Sequence, residues 1–160
     1  MRIYTDGACR GNQYGNATGG YGAVIESSQD RIELAQGYAD TTNNRMELRA
    51  VTAALKTLET PTVLEIFTDS KYVCQAFLDN WIAGWIKRGW KTAAKKPVKN
   101  QDLWEELIAL ANEHDITWTW VKGHSGHPGN ERADELACMA ADHGELFNDS
   151  KPTTVTIVNA

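Results

Sequence analysis

Three cysteines, Cys9, Cys74 and Cys138, form an odd and widely spaced set. They exclude a disulfide framework and a zinc knuckle, and free thiols suit a reducing cytosol. No apolar run is long enough to cross a bilayer as a helix. Met1-Arg2-Ile3-Tyr4-Thr5 leads straight into a strand-like segment, without the basic start and apolar stretch of a secretory signal. A cytoplasmic protein with no membrane partner is therefore expected. Internal repeats, low-complexity linkers and a P-loop are all missing. Positive charge is in deficit: 16 Lys and Arg against 21 Asp and Glu leave a net charge of −5. That balance argues against indiscriminate nucleic-acid binding, but it leaves room for a local basic patch.

What is present suits one domain. The chain has 160 residues, 42% hydrophobic and 23% charged, enough to bury a real core. Residues 3–5, 19–25 and 31–38 read as strands, the last two joined by the polar turn Ser27-Ser28-Gln29-Asp30. Asn44 opens a helix on which Leu48, Val51, Leu55 and Leu58 recur at helical spacing, with Pro61 past its end. Residues 63–68 are a β-rich apolar run that reads as a buried strand. Residues 70–78 follow as a helix, and 81–90 as a helix broken by Gly84 and Gly89. Asn100 caps a helix carrying Leu103, Leu107 and Leu110, and Ile116, Trp118 and Trp120 alternate as a strand does. A last helix opens at Gly129-Asn130 and runs toward Gly144. Three strands, a helix, a strand, helices, a strand and a helix make an α/β domain over residues 1–145, with a five-stranded mixed sheet flanked by helices. Residues 146–160 are read as a C-terminal tail, either mobile or laid down as an extended arm.

Four carboxylates stand where such sheets place ligand groups: Asp6 and Asp69 at strand ends, Glu47 and Asp134 in the first turns of helices. If the two strands are neighbours, Asp6 and Asp69 converge. Clustered carboxylates repel, burial adds a desolvation cost, and a divalent cation offsets both. Hard oxygen donors with few His and Cys point to Mg²⁺, with Mn²⁺ as substitute, rather than zinc. A pair of such ions is the usual device for phosphodiester hydrolysis. Each carboxylate also has a structural reading. Asp6-Gly7 is a common turn, Asp69-Ser70 is a helix cap, Asn44 to Glu47 resembles a capping box, and Asp134 suits a helix N-terminus.

Lys87, Arg88, Lys91, Lys95, Lys96 and Lys99 crowd one stretch, with Trp81, Trp85 and Trp90 interleaved and no acid between Asp79 and Asp102. In an acidic chain this is the electrostatic footprint of a phosphate backbone. The alternative is a solvated helix face over packed Trp side chains, which is the reading given to Trp104 and Trp118.

These residues carry a family resemblance. Thr5-Asp6-Gly7-Ala8-Cys9, Thr42-Asn43-Asn44-Arg45-Met46-Glu47-Leu48, Thr68-Asp69-Ser70, Trp120-Val121-Lys122-Gly123-His124-Ser125-Gly126-His127 and Asn130-Glu131-Arg132-Ala133-Asp134 resemble, in order, the signatures of bacterial type-one ribonuclease H. Residues 85–100 resemble that family's basic protrusion. The resemblance implies the ribonuclease H-like fold and an endoribonuclease, monomeric, that hydrolyses the RNA strand of RNA–DNA hybrids with two metal ions. It implies 3′-hydroxyl and 5′-phosphate ends. It implies that Asp6, Glu47, Asp69 and Asp134 bind the metal and that His124 assists proton handling or product release. It further implies that Asn43 and Asn44 read the minor groove, that Thr42 and Asn100 hold a DNA phosphate, and that Trp81 and Trp85 wall the DNA sugars. Lys87, Arg88, Lys95 and Lys96 then belong to the substrate surface.

Two features depart from the family pattern. The loop over residues 11–20 is longer than the compact Pro-containing loop usual in close bacterial relatives. Lys71 stands where a neutral polar residue is frequent, and it puts a cation beside the carboxylates. The rival readings are another nuclease or transposase on the same fold, a catalytically dead hybrid-binding module, and a structural nucleic-acid adaptor. The basic arm with Asn43-Asn44 favours hybrid recognition over the first, and the full carboxylate set argues against the other two.

Overall fold

A computed structural model describes residues 1–11 and 17–160; residues 12–16, within the long loop singled out above, lie outside the described residues. Strands β1 (Arg2–Arg10), β2 (Thr18–Glu26) and β3 (Arg31–Ala39) form an antiparallel meander. The β2–β3 turn closes with Ser27 N–H donating to the Asp30 carbonyl at 2.9 Å. Helix α1 (Asn43–Lys56) then crosses to β4 (Val63–Thr68), which runs parallel to β1. Helices α2 (Lys71–Leu78), α3 (Trp81–Lys87) and α4 (Gln101–Ala111) lead to β5 (Asp115–Trp120), parallel to β4. Helix α5 (Pro128–His143) is followed by two short strands, β6 (Leu146–Asn148) and β7 (Ile157–Asn159), both paired with β3. The mixed sheet runs β5-β4-β1-β2-β3-β6, with β7 off that path. The five expected strands are all there, and the tail adds two more.

The sheet has a core on each face, because alternate residues of a strand point to opposite sides. Ile3, Tyr21, Ala23 and Leu34 pack with Leu48, Val51, Leu55, Leu107 and Trp104 under α1 and α4. Tyr4, Val24 and Ala35 pack on the other side against Ala133, Leu136 and Ala140 of α5. Small residues allow close approach on both sides. A Cβ on Gly22 would lie 2.1 Å from the Ala133 carbonyl oxygen, so α5 rides almost on the backbone of β2. A Cβ on Gly7 would lie 2.6 Å from the Glu47 backbone nitrogen, so the missing side chain lets α1 settle against β1.

Three local expectations are corrected. Helix α1 starts at Asn43, not Asn44, and its cap is Thr42, whose Oγ1 accepts from Arg45 N–H at 3.2 Å. Thr42 in extended conformation satisfies a free N–H of the first turn, which leaves the amides of Asn43 and Asn44 free of capping. Asn100 precedes α4 with a left-handed φ of 62° and makes no side-chain cap. Its amide donates instead to the Tyr72 hydroxyl at 3.1 Å and accepts from Arg45 at 3.3 Å. Finally, β1 does not end at Thr5; its ladder with β2 continues to Arg10. Asp6 is thus inside a strand on one side and at a strand end on the other, because pairing with β4 stops at Thr5↔Thr68.

The tail lies along the domain. Asp149 is buried and joins Arg45 and Arg49 of α1, and Tyr21 Oη donates to the Thr154 carbonyl at 2.6 Å.

Candidate active site

Asp6 and Asp69 each follow the last residue of the parallel β1–β4 pairing, so the register brings them to the same level of the sheet. Beyond that point β4 ends and the chain turns into α2, while β1 continues along β2. Glu47 enters from the first turns of α1, seated over Gly7. One oxygen from each of Asp6, Glu47 and Asp69 lies within 4.8 Å of the others. Asp6 and Glu47 are buried and Asp69 half-buried. Asp134, on α5, lines the same cleft of about 400 Å³, together with Asn43, Asn44, Lys71 and His124. The Cys138 thiol approaches Asp134 Oδ1 at 3.8 Å from one turn along the helix.

The electrostatics follow from that crowding. Burial, and then the Asp69 carboxylate, push Asp6 up to about 8. Burial and the two aspartates push Glu47 well above the usual carboxylate range. Burial also raises Asp69, against a hydrogen bond from Asp6 that lowers it. Glu47 Oε2 is buried with no hydrogen-bond partner. A buried acceptor left unmatched costs about 1–3 kcal/mol, and a carboxylate more. An all-oxygen donor set with an orphaned carboxylate oxygen fits a hard divalent cation.

The chain matches known proteins in the same terms. The profile of the RNase H family covers residues 1–142. The chain belongs to the RNase H family. It is 51% identical over 155 residues to a ribonuclease H of Lachnoclostridium phytofermentans, covering 94% of this chain and 97% of that one. It is 57% identical over 140 residues to a ribonuclease H of Alcanivorax borkumensis, covering 88% and 90%. Among solved structures, LC9-RNase H1, described as a type 1 RNase H with the type 2 active-site motif, superposes with a TM-score of 0.80 at 32% identity. That match covers 99% of this chain and 76% of the other. The protein is accordingly a nuclease of the RNase H family, a hydrolase.

The remaining sequence-derived residues divide by position. His124 is exposed on a turn with φ of 55°, at the rim of the cleft. Thr42 caps α1 by accepting from the Arg45 backbone N–H, and Asn100 accepts from the Arg45 guanidinium. The basic stretch is an exposed arm. Lys87, Arg88, Lys91, Lys95, Lys96 and Lys99 all face solvent, and a Lys91↔Pro97 bridge closes the arm on itself. Trp81 is 40% exposed, whereas Trp85 is 9% exposed, with its ring edge-on to Trp104 at 5.2 Å.

One cleft neighbour escapes the sequence pattern. Alternation makes Trp120 a strand residue equivalent to Trp118, which stacks on Phe77 at 4.1 Å. Trp120 instead lies exposed beside the cleft, with its Nε1 donating to the Asp69 carbonyl at 3.0 Å. Its place as the last residue of β5, three residues before Gly123, is the signal that sets it apart.

Proposed function

We propose that this enzyme hydrolyses the RNA strand of an RNA–DNA hybrid, leaving 3′-hydroxyl and 5′-phosphate ends. The observation that carries the reading is the convergence of Asp6, Glu47 and Asp69 on one cleft, with an unpartnered Glu47 oxygen and amide side chains at its rim. Asp6, Glu47, Asp69 and Asp134 hold the divalent cations. A bound pair of Mg²⁺, or Mn²⁺ in its place, supplies an activated water and positive charge against the negative charge that builds on the phosphate oxygens.

The chain's own residues do the rest. Asn43 and Asn44, freed from capping by Thr42, present amides that donate and accept at a minor groove, where a 2′-hydroxyl distinguishes RNA from DNA. The lysines of the arm bind the phosphates of the paired DNA strand, and Trp81 offers an apolar face to its sugars, with only the edge of Trp85 in reach. Thr42 and Asn100 hold a DNA phosphate; Arg45 is hydrogen-bonded to both, through its backbone N–H to Thr42 and through its guanidinium to Asn100. His124 handles a proton near the leaving oxygen or helps the product depart, from a rim position. Water attacks phosphorus, the bond to O3′ breaks and that oxygen takes a proton, which gives the stated ends. The free thiols of Cys9, Cys74 and Cys138 suit a cytoplasmic setting.

The test is one cleavage assay on labelled RNA, offered as hybrid, as RNA duplex and as single strand, with Mg²⁺ and with chelator. Cleavage of the hybrid alone, dependent on Mg²⁺, is expected. Equal cutting of the RNA duplex would remove the hybrid reading, and cutting in chelator would remove the metal.

A further inference from the structure

Lys71 is the first residue of α2 and lines the cleft beside Asp6, Glu47, Asp69 and Asp134. An ammonium among carboxylates is expected to pair with one of them. Among the described residues, Lys71 takes part in no ion pair. Its Nζ lies instead 4.9 Å from the centroid of the Trp120 ring. Trp120 is 43% exposed, but its indole is tethered, because Nε1 donates to the carbonyl of Asp69 at 3.0 Å. The residue that supplies a cleft carboxylate through its side chain thus fixes, through its backbone, the surface on which Lys71 rests.

The contact with Trp120 compensates for an unfavourable place for a cation. A cation at the first position of a helix faces the positive end of the helix dipole, which disfavours it. The cation–π contact with Trp120 offsets that cost and leaves all three N–H donors of the ammonium open. Resting on the indole also keeps the ammonium off the carboxylates, where it would compete with a divalent cation for the same oxygens. What remains is a fixed positive charge at the lip of the cleft, next to the place where one phosphate of a strand is cut. Charges along one strand recur about every 3.4 Å of axis. A lysine beside the cleavage point therefore faces a neighbouring phosphate.

We propose that Lys71, held on Trp120, binds the RNA phosphate adjacent to the one that is cleaved. Lys71 is a substrate contact, and Trp120 is a positioning residue that acts through it. The proposal rests on the hybrid-cleavage reading above.

The test compares the parent enzyme with Lys71→Gln, Lys71→Arg and Trp120→Leu on a hybrid at saturating Mg²⁺ over a range of salt. A set of hybrids carrying one neutral methylphosphonate linkage, moved along the RNA strand, is read alongside. Lys71→Gln is expected to raise KM about three- to tenfold at moderate salt, as removal of one charge-assisted hydrogen bond does. The slope of log KM against log salt should flatten by about 0.7 to 0.9, the value of one bound phosphate. In the parent, a neutral linkage next to the cleaved one should raise KM by a similar factor. In Lys71→Gln that penalty should vanish, and Lys71→Arg should restore both readouts. Trp120→Leu should flatten the slope in the parent background and leave it unchanged in the Lys71→Gln background.

An unchanged slope and an unchanged methylphosphonate profile in Lys71→Gln, on a parent that cuts hybrids, would overturn this proposal alone. A lower Mg²⁺ requirement in Lys71→Gln with KM unmoved would also overturn it, since the lysine would then be a competitor of the metal. A parent that leaves hybrids intact would overturn both this proposal and the activity on which it rests.

Discussion

Arg49 Nε donates to Asp149 Oδ1 at 2.9 Å, and this pair ties the end of the chain to the middle of α1. The Arg49 guanidinium is wholly buried. It also donates to the Asp149 and Lys151 carbonyls at 2.7 and 2.9 Å and lies 4.2 Å over the Tyr38 ring. Asp149 reaches Arg45 as well, which in turn binds Asp102 at the start of α4. The helix that presents Asn43, Asn44 and Glu47 is therefore pinned from behind by the tail.

Asp149→Ala leaves a buried guanidinium without its counter-charge, a change that costs about 3–5 kcal/mol. Urea denaturation should show a loss of that size in the free energy of unfolding, with an unchanged m-value. A drop under about 1 kcal/mol would mean that the Asp149 and Lys151 carbonyls satisfy Arg49 without the carboxylate.

Asp69→Asn should lower Mg²⁺-dependent cleavage by about 10²-fold or more, as removal of a group that stabilises transition-state charge does. The metal-free protein should be no less stable, because the change removes one of several carboxylates that repel each other. Thermal unfolding in chelator and turnover in Mg²⁺ read the two effects separately. Turnover near the parent value would end the metal-ligand assignment.

If His124 acts after the substrate is bound, as proposed, His124→Ala should lower kcat with little change in KM. Its side chain is exposed, so little packing is lost with it. A steep rise in KM with kcat intact would make His124 a substrate contact instead.

Replacing Lys95, Lys96 and Lys99 together by Gln should weaken hybrid binding. The salt slope should flatten by about 0.7 to 0.9 for every phosphate these lysines bind in the parent. At saturating substrate kcat should stay close to the parent value. An unaltered slope would make the arm an ordinary solvated surface.

Glu33 reports on acid stability. Hydrogen bonds from Arg132 at 2.9 and 3.1 Å, against the opposing effect of burial, bring its carboxyl down from 4.5 to about 2. A depressed folded-state value contributes stability that is complete above the unfolded value and is lost as pH falls toward the folded one. The window is therefore from about 4.5 down to about 2. Arg132 is partly exposed, so solvent screening reduces the contribution to about 1–2 kcal/mol. Arg132→Met should remove that amount at neutral pH and nothing at the acid end of the window. An equal effect at both would assign it to packing.

Much of the site was legible in the chain because its residues sit at element boundaries, where local pattern is strongest. Asp69 follows an apolar run and precedes a helix, Glu47 falls in the first turns of a helix with a clear apolar stripe, and the arm announces itself by charge. The same local logic misplaces the cap of α1, because Thr42 and Asn44 are both good caps and only backbone geometry chooses between them. It also ends β1 too early. The Gly-rich stretch after Asp6 looks like a turn, yet pairing with β2 carries the strand on to Arg10. That Asp6, Glu47 and Asp69 meet depends on the β1–β4 register and on α1 pressing against Gly7, between segments far apart in the chain that leave no local trace of each other. The tail was the least legible. A polar segment with one buried aspartate is held in place because Arg49, a charge within the apolar core face of α1, has no other counter-charge among the described residues. The sequence by itself determined the five principal strands, the helices and the candidate carboxylates, since periodicity and residue type act locally. The tertiary structure alone decided which carboxylate oxygens lie together and which lysine is parked on which indole, since those depend on packing at a distance.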